Sequence, residues 1–200
     1  MILSEKDKFG KLYDIQAVLK CSNIVLLDEV IKHYPKEFSE NGIPIIPFQD
    51  IDGVKITKGT EIRYVDFMAI ADSDSDDKLI KATAKAFLNI DNLKETNRLP
   101  MFKFMRLMEY GKDVIVLGKE LFSKIKREPT PDEIAAGIKE IRSDDFSVID
   151  AFCLRNGISD RDFGAETPWI IVYRCFEEDF KRDTFARRYS EVIERKNKKK

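Results

Sequence analysis

The chain is poor in the residues that carry most catalysis and metal binding. Among its 200 residues, His33 is the sole histidine, and Cys21, Cys153 and Cys175 are the three cysteines. A structural zinc site collects four Cys or His ligands, and the four such residues here have no paired spacing. Zinc is not expected. Three cysteines, far apart, odd in number and without CxxC spacing, suit free thiols in a reducing compartment better than a disulfide framework. Charge of one sign is also lacking. Thirty-five Lys and Arg stand against 36 Asp and Glu, a net charge of −1, which removes the global attraction of a dedicated nucleic-acid coat. No apolar run approaches the ~20 residues that span a bilayer, and the start MILSEKDKFG lacks the cationic flank and apolar core of an export signal. The expectation is a soluble chain with no membrane partner.

The motifs of site chemistry are missing as well. Neither GxxxxGK[ST] nor GxGxxG occurs, and Gly111-Lys112 and Gly118-Lys119 have the letters without the loop that aims N–H groups at a phosphate. The acidic string Asp72–Asp77 begins like a calcium loop. An EF-hand then requires glycine at the sixth position and glutamate at the twelfth, where Asp77 and Thr83 stand. These acids read instead as a solvated loop leading into a helix N-terminus. Nothing connects His33 to a cysteine as a catalytic pair, and its place before Pro35 is that of a helix-end residue. We assign no catalytic residue, no cofactor-binding residue, no metal ligand and no cofactor.

What the sequence has is helical periodicity. Phe9, Leu12, Ile15, Val18 and Leu19 predict a helix within Ser4–Lys20, and Val25–Ile31 predicts a second over Asn23–Tyr34, stopped by Pro35. Character changes at 41–60, where glycines and prolines interrupt short β-branched runs. Asp52-Gly53, between Ile51 and Val54-Lys55-Ile56, is a hairpin turn signal, so one small β-hairpin is expected near residues 43–58. Further helices are predicted over Glu61–Ile70, with Thr60 as its cap, over Asp76–Asn89, and across Leu99–Lys126. The last is interrupted by Gly111 and Gly118, between which Val114–Leu117 reads equally as helix or strand. Thr130-Pro131-Asp132-Glu133 is a capping box with proline at the first helical position. Asp145–Arg155 follows and stops at Asn156-Gly157. Thr167-Pro168 repeats the cap-plus-proline device before a final long helix from Trp169. The fold class is mainly α, with a helical domain over 1–126 that carries the hairpin and a helical C-terminal subdomain over 127–200. Lys126–Pro131 is the candidate hinge between them.

The final helix carries the candidate interface. Trp169, Tyr173, Phe176 and Phe180 recur at spacings of four, three and four, and Phe185, Tyr189 and Val192 resume after a slip. This predicts a wide aromatic side for core packing or for a partner, since Trp, Tyr and Arg are enriched at interfaces. Glu177/Lys181, Glu178/Arg182, Asp183/Arg187 and Glu191/Arg195 are opposite-charge pairs at i,i+4, so the dense acids read as a solvated helix face before they read as metal ligands. Arg195, Lys196, Lys198, Lys199 and Lys200 form a basic tail, the one place suited to phosphate contacts.

Residues 127–200, with the Glu-Pro-Thr-Pro-Asp-Glu-Ile helix start, the Phe-Ser-Val-Ile-Asp helix, Glu-Thr-Pro-Trp and a last helix rich in Phe, Tyr and Arg, resemble small accessory proteins of tailed bacteriophages. Helical tail-assembly chaperones and neck or tail structural proteins share this organisation. The resemblance implies a non-enzymatic part in building a virion or its tail, located in the virion or the host cytoplasm. The expected function is therefore structural. The chain would act through contacts with other protein subunits, as a homo-oligomer or in a hetero-assembly. A carboxylate-metal-dependent nuclease and a nucleic-acid-binding module are the alternatives.

Overall fold

The computed structural model describes residues 31–32, 34–96, 98–126, 129–137 and 145–198. The helix expected over Ser4–Lys20, most of that over Asn23–Tyr34, and Cys21, His33, Arg127, Glu128, Lys199 and Lys200 lie outside the described residues. Those that are described form a mainly α protein with small antiparallel β elements, as the periodicity predicts. The backbone divides into two compact units, Met1–Lys119 and Glu120–Lys200.

In the first unit, β1 (Glu37–Phe38) pairs antiparallel with β2 (Pro44–Ile45), with Glu37 opposite Ile45. Gly42 takes φ of +72°, and its N–H donates to the Ser39 carbonyl at 2.9 Å, closing the turn. The second ribbon is the hairpin expected at Asp52-Gly53. Strands β3 (Asp50–Ile51) and β4 (Val54–Lys55) pair in the register Ile51 to Val54. Asp52 and Gly53 both have positive φ, 53° and 80°, the backbone that a tight two-residue hairpin demands. Ribbons this short are marginal alone, and this one is tied to helices: the Thr57 N–H donates to the Phe87 carbonyl at 2.8 Å, and Ile51 is fully buried.

Helix α1 (Tyr64–Ala71) starts three residues later than expected. Thr60 does not cap it. The N-cap is Arg63, whose Nε and Nη2 clamp the buried Asp66 carboxylate of the first turn at 2.6 and 3.0 Å. This bidentate charge-assisted pair braces the first turn, while Arg63 makes no side-chain cap hydrogen bond. Helix α2 (Asp76–Leu88) begins with Asp76 and Asp77 in its first turn and ends at Asn89, which takes the left-handed conformation with φ of 55°. After the short α3 (Leu93–Thr96), α4 runs unbroken over Met101–Lys124. Gly111 and Gly118 do not interrupt it, and Val114–Leu117 is helix. A helical glycine costs only about 1 kcal/mol, and Gly111 gives something back: a Cβ there would sit 3.2 Å from the Phe87 ring, so its absence lets α4 approach α2. Phe87, Phe104, Leu107, Ile80 and Ile62 are fully or almost fully buried around this seam.

In the second unit, the Thr130-Pro131 signal opens α5 (Pro131–Ala135), with the Ile134 N–H donating to the Thr130 carbonyl. Helix α6 (Asp145–Asn156) ends at Gly157, with φ of +68°. Asp160 caps α7 (Arg161–Ala165) by accepting from the Asp162 and Phe163 N–H groups. Helix α8 (Trp169–Asn197, 29 residues) follows. Its N-cap is Pro168, with ψ of 131°, so Thr167 is one residue too early to cap it. Helix α6 packs on α7 and α8. Trp169, Val172, Phe152 and Cys153 are buried, Phe122 meets Tyr173 edge-on at 5.5 Å, and Arg155 pairs with Asp179 at 2.6 Å.

Candidate interaction surfaces

Helix α8 holds all six aromatics singled out from the sequence, and it divides them. Trp169 is fully buried and Tyr173 nearly so, while Phe176 and Phe180 are half-buried. Phe185 and Tyr189 are 69% and 58% exposed. The cause is the slip. At roughly 100° per residue, Trp169, Tyr173, Phe176 and Phe180 share one sector of the helix. The five-residue step from Phe180 to Phe185 carries Phe185, Tyr189, Val192 and Ile193 to the opposite side. The six residues therefore form two faces: one buried in the unit, the other open.

The open face lies on a part of α8 that makes little use of its own unit. Every residue from Lys181 to Lys198 is exposed except the half-buried Thr184. Phe185 and Tyr189 stack on each other at 6.1 Å with rings 20° apart, and Val192 and Ile193 extend the stripe, 46% and 37% exposed. Charge is sorted about the same axis. At roughly 100° per residue, Lys181, Arg182, Arg188 and Lys196 fall on the half that carries the stripe, and Asp183, Glu191 and Glu194 on the half away from it with Arg187, Arg195 and Lys198. Ion pairs run along the helix: Lys181 lies 3.1 Å from Glu178 and 3.2 Å from Glu177, and Arg195 lies 3.5 Å from Glu191. Hydrogen bonds to Glu178 and Glu177 raise the Lys181 pKa above the usual lysine value. Burial, and then the hydrogen bond to Glu177, raise that of Tyr173. Of the basic tail, Arg195, Lys196 and Lys198 are exposed on or just past the end of α8.

The first unit has a second open apolar surface, a concavity of about 620 Å³ between the two ribbons and α4. Ile43, Ile45, Ile46, Phe48 and Ile56 form its walls, and Gly59 and Tyr110 its floor. The Tyr110 hydroxyl accepts from the Gly59 N–H at 2.9 Å, and burial raises the Tyr110 pKa. A Cβ at Gly59 would lie 2.5 Å from Val114 Cγ2 and 2.8 Å from that hydroxyl, so only glycine fits here. Of its lining residues, Ile43 and Ile45 are exposed, as is Phe38 on β1. Its charged lining residues are Asp50, Lys55 and Lys58, and Lys103 sits over the ring of the lining residue Phe48 at 5.6 Å.

Below β1, the guanidinium of Arg106 is 1% exposed. Its Nε donates to the Tyr34 carbonyl at 3.0 Å and its Nη2 to that of Pro35 at 3.4 Å, which fastens the chain before β1 to α4. Its Nη1 lies 4.0 Å from Asp113 Oδ2, and neither atom has a hydrogen-bond partner. Burial lowers the Arg106 pKa against the opposing pull of Asp113 and Glu109. Lys36 supplies the counter-charge to Asp113 at 2.8 Å.

Among the described residues, no three His, Cys, Asp or Glu side chains gather to hold a metal ion, and no helix is long and apolar enough to cross a membrane. Of the acids in Asp72–Asp77, Asp72 is the C-cap of α1, Asp74 pairs with Lys78 at 2.9 Å, and Asp76 and Asp77 stand in the first turn of α2. Cys153 is buried and Cys175 half-buried, both as free thiols. Sequence periodicity missed the concavity, because its lining comes from a loop-rich segment and one distant helix. A signal for Arg106 was present: it is the one charge within Phe104–Met108. No protein-family model, no curated protein and no solved structure matches this chain.

Proposed function

We propose that this protein is a structural or assembly subunit that works by burying apolar and aromatic surface against other protein subunits, without chemistry of its own. One observation carries the reading: the open stripe Phe185, Tyr189, Val192, Ile193 on the exposed part of α8. A helix gains most of its stability in a protein from packing an apolar face, and this stretch has such a face and nothing packed on it among the described residues. The spacing i, i+4, i+7, i+8 is that of an amphipathic helix seated in a groove. A phage virion or its tail is the proposed setting, supported by the resemblance of residues 127–200.

The mass and composition of the native complex test this. Several subunits per particle are expected, and the double variant Phe185→Glu/Tyr189→Glu releases the chain from it. A native species of one 23.2 kDa chain would overturn the proposal. The bases beside the stripe also favour a second reading, contact with nucleic acid. Binding to single- or double-stranded DNA or RNA that falls steeply with salt, and is lost on deleting Arg195–Lys200, would select it.

A further inference from the structure

Charge on the exposed stretch of α8 is sorted more sharply than its total shows. Over 181–198 there are seven Lys and Arg and three Asp and Glu. The half away from the stripe holds Asp183, Glu191 and Glu194 with Arg187, Arg195 and Lys198, three charges of each sign. The half that carries Phe185, Tyr189, Val192 and Ile193 holds Lys181, Arg182, Arg188 and Lys196 and no acid. Lys181 is engaged with Glu177 and Glu178 one turn earlier. Arg182, Arg188 and Lys196 are exposed and pair with no acid among the described residues. We infer that this face docks in an apolar groove rimmed by carboxylates, on a protein subunit other than a copy of this chain. The inference rests on the assembly reading above and names the chemistry of the partner.

The pattern of the face favours this occupant. Its apolar side chains stand at i, i+4, i+7 and i+8, the anchors of a helix laid in a groove. The cations flank those anchors, so the rim of the groove is where opposite charge meets them. A second copy of α8 does not supply that charge. Whatever the direction or register, pairing two such stripes brings four cations from each helix together with no acid between them, and like charge across an interface is costly. The concavity of the first unit does not supply it either, since its charged lining is Asp50 against Lys55 and Lys58. Nucleic acid answers the cations and leaves the stripe unanswered. Val192 and Ile193, 46% and 37% exposed, have neither a ring on which a base could stack nor a donor for a phosphate.

The native assembly provides the test, in two arms. In the first, Tyr189 is replaced by photoreactive benzoylphenylalanine, the intact complex is irradiated, and the joined peptides are sequenced by mass spectrometry. The expected partner peptide belongs to a different polypeptide and places Asp or Glu among apolar residues. The second arm leaves the stripe whole. Arg182→Glu/Arg188→Glu/Lys196→Glu reverses the unpaired cations, and Arg182→Lys/Arg188→Lys/Lys196→Arg keeps them. All three positions are exposed, and circular dichroism and melting confirm that both variants fold. Reversal should weaken retention in the complex about tenfold or more, while the variant that keeps the charges stays in it. Cross-links to peptides of this same chain, to nucleic acid or to a partner segment without acids would overturn the inference. So would an intact complex that gives no cross-link, or a reversal variant retained like the parent. A complex of several subunits alongside any of these results leaves the assembly reading standing, whereas a native species of one chain overturns both.

Discussion

Individual residues decide how closely the elements of this protein approach. At Gly59 the helix α4 side chains Val114 and Tyr110 occupy the space a methyl group would need. Gly59→Ala should therefore destabilise the first unit by about 1–3 kcal/mol, the usual cost of overpacking, measurable as a lower urea midpoint with unchanged slope. Gly164 plays the same part in the second unit, where a Cβ would collide with the buried Cys153 Sγ. Gly164→Ala should cost a similar amount, and adding Cys153→Ala should recover part of it. Additive losses in that cycle would show that the two sites do not touch. Tyr110 gives a pH signature. Its burial raises its pKa above the ordinary value near ~10, so the unfolded chain releases the proton first. The stabilisation is whole below that pH and is lost as pH rises toward the folded value. Tyr110→Phe should be less stable than the parent by about 1 kcal/mol near neutrality, from the lost hydrogen bond. That gap should shrink between pH ~9 and ~11; a constant gap would contradict the assignment.

Elements were legible in the sequence wherever local chemistry settled them. The Asp52-Gly53 turn, the acidic start of α2, the Pro131 start of α5 and the Gly157 stop of α6 are settled by local chemistry, and all are present in the structure. Expectations failed where a contact from elsewhere outweighed the local signal. Gly111 stayed helical with Phe87 packed against it; at α1, by contrast, another local device, the Arg63–Asp66 pair, stands at the helix start three residues after Thr60. The first ribbon, β1 with β2, has only two residues per strand and left no periodicity to read. On α8, the slip between Phe180 and Phe185 was visible in the sequence. Its consequence, two opposite faces, needed the helix to be continuous. Phe185→Glu/Tyr189→Glu should leave the melting temperature of the isolated chain within about 2 °C, as exposed substitutions do, while weakening association about 30-fold or more, the effect of about 2 kcal/mol at a hot spot. Trp169→Ala, on the buried face of the same helix, should instead cost about 3–5 kcal/mol of stability, read by denaturant unfolding.

At the scale of the whole molecule, most of the candidate surface lay beyond sequence reasoning. An interface is a property of side chains brought together from distant positions, and the concavity unites residues 43–60 with Tyr110 of α4. Charge behaves in the same way. A net charge of −1 conceals a basic stretch of α8, and only the fold shows that it borders an exposed apolar patch. The account treats these patches as the working parts of the protein. Amide hydrogen exchange along α8, compared between the native assembly and the dilute isolated chain, tests that claim most directly. The account predicts fast exchange over 182–197 in the dilute chain and strong protection of the same amides in the assembly. Equal, fast exchange of those amides in both would contradict it.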